Sequence, residues 1–369
     1  MLNLDLSNIQ LSKLQIDKLT RYSYKNSSKH LLLAGISLLM ISCSSMQYYS
    51  SLLHGHAEVL NSAREIEDVL ADKNTNEITR LKLEEFKVAR EFAISELYLP
   101  DSGSYRHYAD IGRKYVVWNV IATQELSVAP KEWCFLVVGC VQYRGYYSLE
   151  DAQAYASQLE AEDYDVYVAG VSAYSTLGWF DDPLLNTMMY RKSEDRINLL
   201  FHEMAHQKIY IKNDSKFNEA FATAVANEGV HRWHLSKGQN DRSVQYKSYL
   251  ENKSKFYKLL RESRETLEEI YQSKIADDQK RILKKNTFSK LKEKYHKLKQ
   301  ENPSINFDAW MNRDLNNAHL ALISTYNAYL PYFEQKIASH EGNFELFYRE
   351  INKIAQYEPS KRKQIMSGY

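Results

Sequence analysis

Apolar residues change their spacing twice along this chain. From residue 44 to about 98, in SMQYYSSLLHGHAEVLNSAREIEDVLA and ITRLKLEEFKVAREFAISEL, they recur at helical intervals with no proline, which predicts helices. The segment LPDSGS, residues 99–104, breaks that pattern with proline and glycine. Between about 105 and 183 the chain turns to β-branched and aromatic runs, KYVVWNVIAT, WCFLVVGCVQY and YDVYVAGVSAYSTLGWF. A helical EDAQAYASQLEAE interrupts them. This predicts a small sheet with one helix packed against it. From Ser193 onward helical spacing returns, and charged stretches such as KKNTFSKLKEKYHKLKQEN read as solvated helix faces. The fold class expected is α+β and mostly helical, with a helical part to residue 104, an α/β core over 105–235 and a helical part over 236–369.

The N-terminus has a separate character. Lys13, Lys18, Arg21, Lys25 and Lys29 precede LLLAGISLLMIS, residues 31–42, and Cys43 follows at once. Twelve such residues would span about 18 Å as a helix, short of the roughly 30 Å hydrocarbon core. A basic region before a short apolar one is the pattern of a secretory signal, here residues 1–42. The tetrapeptide MISC resembles a bacterial lipoprotein box, with Met40 where leucine is usual. That resemblance makes Cys43 the lipidated first residue of an exported, membrane-anchored chain. The other reading is a plain signal peptide followed by a coincidental cysteine.

Composition narrows the partners. The formal net charge is +1 from 48 basic and 47 acidic residues, and residues 1–42 hold five of the former and two of the latter. The mature chain is therefore near neutral, and no nucleic acid is expected as a partner. Two cysteines remain after residue 43, Cys134 and Cys140. On one straight strand their Cα atoms would stand about 20 Å apart, beyond the bridging limit. A disulfide needs a turn between them, for which Gly139 is the candidate; otherwise they are two separately buried thiols.

The chemistry concentrates in FHEMAHQKIYIKNDSKFNEAFATAVANEG, residues 201–229. His202 and His206 are four residues apart on a helix expected over about 194–210, so both imidazoles leave one face a turn apart and can share a metal. Glu203 sits about 100° round, where it can take a proton from water at that metal. A catalytic zinc site wants three protein ligands and an open position. The longer pattern HExxHxxGxxH is excluded, because Ile209 and Lys212 stand where glycine and the third histidine would be. KNDS, residues 212–215, reads as a turn, after which a second helix begins near Phe217 and ends near Gly229. Glu219 lies in its first turn and is the expected third ligand. Glu228, nine residues on, faces the opposite side. His231 and His234 read as surface or supporting residues.

The stretch FHEMAHQKIYIKNDSKFNEAFAT resembles the signature of a family of bacterial lipoproteins predicted to be aminopeptidases. Further blocks resemble it too: SYRHYADIGRKYVVWNV (104–120), WCFLVVGCVQYRGYY (133–147), VSAYSTLGWFDDP (171–183) and LNNAHLALISTYNAYLPYF (315–333). The resemblance implies a gluzincin-like zinc peptidase holding one zinc ion, with His202, His206 and Glu219 as ligands and Glu203 as base. It departs from better-known gluzincins in the shorter interval between His206 and Glu219. Such an enzyme needs a donor for the tetrahedral oxyanion, for which Tyr174 and Tyr326 are candidates, and AYSTLGWF would be an edge strand that pairs with a peptide. An aminopeptidase also needs an acid for the substrate's ammonium, and Asp181, Asp182 and Glu228 can be named. The expected partners are peptide substrates and, through Cys43, a membrane, with the catalytic part periplasmic or surface-exposed. The rival readings are a zinc endopeptidase and a non-catalytic envelope lipoprotein with a structural metal.

Overall fold

The computed structural model describes residues 46–135, 139–176, 179–321, 323 and 329–366. It divides into a unit of residues 1–56, whose described part, 46–56, is helical, and a unit of residues 57–369. Cys43 and Tyr326 lie outside the described residues. No helix among the described residues is long and apolar enough to cross a membrane.

The second unit is mostly helical with small mixed sheets. Its first strand, β1 (Ala63–Glu65), pairs antiparallel with β2 (His107–Ala109), which pairs in parallel with β8 (Leu184–Leu185). Helical spacing alone conceals β1, because its three residues are fixed by a partner more than forty positions away. Between β1 and β2 run α1 (Ile66–Ala71) and α2 (Glu77–Ser95). Asn76 starts α2 by accepting the backbone N–H of Thr79, and Leu83, Phe86, Ala89 and Ala93 give it one buried face.

The central sheet is antiparallel, ordered β6 (Arg144–Tyr146), β3 (Val117–Gln124), β7 (Tyr164–Val171). Helix α3 (Leu149–Ala161), capped by Ser148, packs on β3 and β7. Ile121 clusters with Ala318 and Ala321 of a later short helix while its neighbours Val120 and Ala122 are equally buried, so β3 is covered on both faces. WCFLVVGC is not one strand. It forms a hairpin, β4 (Trp133–Phe135) against β5 (Gly139–Val141), with Cys134 opposite Cys140 and their sulfurs bonded. Gly139 adopts φ +79°, the left-handed backbone that a reversal here requires.

The helical remainder begins with α4 (Ser193–His206) and α5 (Ser215–Ser236), joined by the expected turn. Helix α4 stops at His206, earlier than the pattern suggests. Helix α5 runs through Gly229 to Ser236, so glycine here does not end the helix. Its role is packing: a Cβ on Gly229 would come within 2.7 Å of both Leu97 Cδ1 and Phe201 Cδ2. The missing side chain lets α4 and α5 approach beside the residue that precedes His202. Two long helices, α6 (Asn240–Gln272) and α7 (Asp277–Glu301), enclose a second core around Phe256, Leu260, Leu267, Leu291 and Tyr295. Shorter helices α8 (Asp308–Met311), α9 (Asn317–Ala321), α10 (Leu330–Ser339), α11 (Phe344–Ala355) and α12 (Pro359–Met366) complete the chain. Phe333, Phe344 and Phe347 bring α10 and α11 into the main core around Phe217 and Phe221 of α5.

Candidate metal centre

The pentapeptide His202–His206 occupies the last turn and a half of α4, with acidic Glu194 and Asp195 in the first turn. Asp214 caps α5 by accepting the N–H of Phe217, while its other oxygen takes the guanidinium of Arg362 at 2.8 Å. Asn218 then clasps the connecting turn. Its Oδ1 accepts the N–H of Ile211 at 2.8 Å and its Nδ2 donates to the Ile211 carbonyl at 2.7 Å. This double bond fixes the entry of α5 against the end of α4, and Glu219, the next residue, is thereby aimed at the two histidines. Ala220 and Ala222, both fully buried, leave room for the helices to close around it.

His202 Nε2 and His206 Nε2 stand 3.1 Å apart, Glu219 Oε2 is 3.3 Å from His202 Nε2, and Glu219 Oε1 is 3.8 Å from His206 Nε2. Among the described residues these three form a group that could hold a metal ion. Two facing ring nitrogens can make only one N–H···N bond between them, so the arrangement suits a shared cation better than mutual hydrogen bonding. A tetrahedral zinc site with bonds of about 2.0–2.2 Å places its ligand atoms roughly 3.3–3.6 Å apart. The three separations bracket that spacing, and the residues fit the ion.

Electrostatics in the ion-free group follow burial and proximity. Burial pulls the His206 imidazole down to about 4, with the neighbouring His202 adding to the effect. For His202 burial acts the same way, but the hydrogen bond and charge of Glu219 outweigh it and raise the ring above its usual value. Glu219, although buried, is held below the usual carboxylate range by the two histidines. Glu203 is 8% exposed and pushed up to about 7 by burial, a shift that His202 opposes and Glu219 and Asp182 reinforce.

The remaining candidates separate clearly. Glu228 faces away as the helix period requires, paired with Arg232 at 2.8 Å, and Arg232 also donates to the Gly342 carbonyl. His231 lies against Ser243 and His234 bonds Gln239; neither joins the metal group. Tyr174 is half-buried and packs edge-on against Tyr147. The described part of AYSTLGWF is not a strand. Asp182 Oδ2 accepts the N–H of Thr176, and the Thr176 hydroxyl accepts the N–H of Phe180, so side chains close this segment into a turn. Asp181 is exposed and lies against Gly103, whereas Asp182 is 2% exposed.

One component is not visible in the sequence pattern. The break at residues 99–104 is a hydrogen-bonded clasp. Buried Arg90 holds the carbonyls of Ser102 and Ser104 and the carboxylate of Asp101. Ser102 Oγ donates to Gln207 Oε1 at 2.8 Å, Gln207 Nε2 donates to Ser104 Oγ at 3.1 Å, and Ser104 Oγ also accepts the N–H of Asp182 at 3.1 Å. Gln207 directly follows His206, so the loops at 101–105 and 176–182 are both tied to the end of the histidine helix. The serines and the glycine of LPDSGS were the available signal, as residues that bond loops locally.

Two histidines and a glutamate from adjoining helices, with a second buried glutamate beside them, define a protein able to hold a metal ion next to a titratable carboxylate. The chain belongs to the family described as "Putative aminopeptidase", whose model matches residues 47–366. No curated protein and no solved structure matches it.

Proposed function

We propose that the chain is a zinc-dependent peptidase that removes N-terminal residues, anchored to the bacterial envelope by a lipid on Cys43, with its catalytic part periplasmic or surface-exposed. The observation that carries this reading is the convergence of His202, His206 and Glu219 within 4.8 Å, with Glu203 one residue along the same helix. Family membership supports peptide hydrolysis as the reaction. A zinc ion held by these three side chains would supply a Lewis acid for the scissile carbonyl and the attacking water. Glu203 would serve as the base, placed to take the proton of the attacking water and return it to the leaving amine. Glu219 would bring one negative charge to two neutral rings, so a divalent ion held there would keep a net positive charge to favour the developing oxyanion.

The test is Glu203→Gln. The variant should retain stoichiometric zinc and lose peptide hydrolysis by on the order of 1000-fold or more, because the base is gone and the ligands are not. Zinc-loaded Glu203→Gln with wild-type turnover would sink the enzyme reading. Anchoring is tested separately: Cys43→Ser should shift the chain from the membrane fraction to the soluble one and abolish acylation by labelled palmitate.

A further inference from the structure

Asp182 is a buried carboxylate close to the metal group that the metal chemistry does not use. Its backbone fixes its place: its N–H donates to Ser104 Oγ, which is bonded to Gln207, and its carbonyl accepts the N–H of Tyr105 at 2.6 Å. Its side chain has only neutral partners. Oδ2 accepts the N–H of Thr176 at 2.8 Å, and Oδ1 is sealed from solvent. The Ser175 hydroxyl, a neutral group, is the hydrogen-bonding partner that Asp182 and Tyr105 share. The Tyr105 hydroxyl is sealed from solvent too, on a residue whose backbone takes φ +63°. A left-handed conformation is costly for a bulky residue and persists only where its surroundings impose it, as they often do at functional sites.

The charges around this cluster point to its ligand. Glu203 and Asp181 both bear on Asp182, and both are acidic. No Lys, Arg or His pairs with Asp182 among the described residues. A buried carboxylate without a counter-charge is expensive, and a cation arriving beside it would relieve that cost. Beside a peptide-cleaving centre, the cation every unblocked substrate carries is its own α-ammonium.

We propose that Asp182, with the Tyr105 hydroxyl beside it, holds the free α-ammonium of the substrate's first residue and so restricts cleavage to N-termini. This rests on the peptidase reading above and names the residue that gives it its specificity. Asp181 is exposed and Glu228 is paired elsewhere, so neither substitutes for it.

The experiment compares leucyl 4-nitroanilide with its N-acetyl derivative and with the analogue carrying a hydroxyl in place of the amine, using zinc-loaded protein. Wild type should favour the free amine by on the order of 100-fold in kcat/KM over both analogues. Asp182→Asn should lose most of that preference through a higher KM for the free amine, and Asp181→Asn should keep the preference. Binding of a free-amine dipeptide to the Glu203→Gln variant, measured by calorimetry, should weaken by a similar factor when Asp182→Asn is added, which separates recognition from chemistry. The proposal is overturned if wild type cleaves all three alike, or if Asp182→Asn keeps the wild-type ratio. Should Asp182→Asn not fold, the wild-type response to the hydroxyl analogue decides the matter. The peptidase reading fails by a different result: no cleavage of any of these compounds by zinc-loaded wild type.

Discussion

The site has two halves built by opposite means. The metal half sits on α4 and α5, where helical period, a side-chain cap at Asp214 and the Asn218 clasp aim three side chains at one point. The acidic half, Asp182 and Tyr105, sits on two loops seventy-seven positions apart, held by Arg90, Ser104 and Gln207. Helices deliver side chains by counting residues, and the metal half is accordingly compact in sequence. Loops deliver them only through hydrogen bonds to something rigid, and here that anchor is the end of the histidine helix. The proposed metal and ammonium sites would thus be tied in space through Gln207, and mutations can address them separately.

The largest effect should come from breaking the metal half. His206→Ala or Glu219→Ala should remove bound zinc and lower hydrolysis by on the order of 1000-fold or more, and a chelator should do the same to wild type, reversibly on adding zinc. Metal analysis beside the rate measurement is the check. Retained stoichiometric zinc in both variants would mean that the three side chains are not the ligands.

The acidic half should reveal itself through pH. Burial pushes Asp182 up to about 6 from its ordinary 3.8, and Asp181 contributes in the same sense. The groups facing it are Glu203, Asp181, Tyr105, Tyr147 and Tyr174. A carboxylate with a raised folded-state pKa stabilises the fold only while protonated. Below about pH 4, Asp182→Asn and its parent should be equally stable. Between about pH 4 and 6 the parent should fall behind, and above about 6 the gap should level off near 3 kcal/mol at most. Denaturant titrations of metal-free protein on the Glu203→Gln background remove the nearest titrating neighbour. A gap that does not change with pH would show that Asp182 is not a buried charge.

Asn218→Ala probes the joint of the metal half. It leaves two backbone groups of Ile211 without partners, for a cost of about 1–3 kcal/mol, and frees the α4–α5 turn. Zinc affinity should fall about 10- to 100-fold, the range for residues that orient ligands. Calorimetric zinc titration reads both ends of the claim, since an unchanged affinity would leave Asn218 a purely structural residue.

How much was legible follows the same division. The shared face of His202 and His206 and the opposed directions of Glu219 and Glu228 follow from helical period, because within one helix geometry is a count, while the turn at residues 212–215 follows from its polar composition. The end of α5 was misplaced for a tertiary reason. Gly229 looks like a stop signal, but what it answers is the approach of Leu97 and Phe201, residues of other elements. The clasp at residues 101–105 was legible only as a break, because nothing local states that Ser102 and Ser104 reach Gln207. AYSTLGWF carries strand composition, yet the Asp182 and Thr176 side chains bond its backbone into a turn and override that preference. Gly229→Ala turns this lesson into a measurement: overpacking against Leu97 and Phe201 should cost about 1–3 kcal/mol, although alanine is the better helix former.

The smallest expected effect tests the helix count itself. Glu228 and Glu219 share α5, nine residues and half a turn apart, so one should be replaceable where the other is not. Glu228 is bound to Arg232 in a partly exposed i, i+4 pair, and such pairs contribute about 0.3–0.5 kcal/mol. Arg232 keeps its second partner, the Gly342 carbonyl, when the carboxylate is neutralised. Glu228→Gln should therefore lower stability by no more than about 0.5 kcal/mol and leave zinc content and the free-amine preference at wild-type values. A loss of zinc in Glu228→Gln would reverse the orientation of α5 about its axis and undo the assignment of Glu219 with it. A loss of the free-amine preference alone would move the ammonium site from the loops onto the helix.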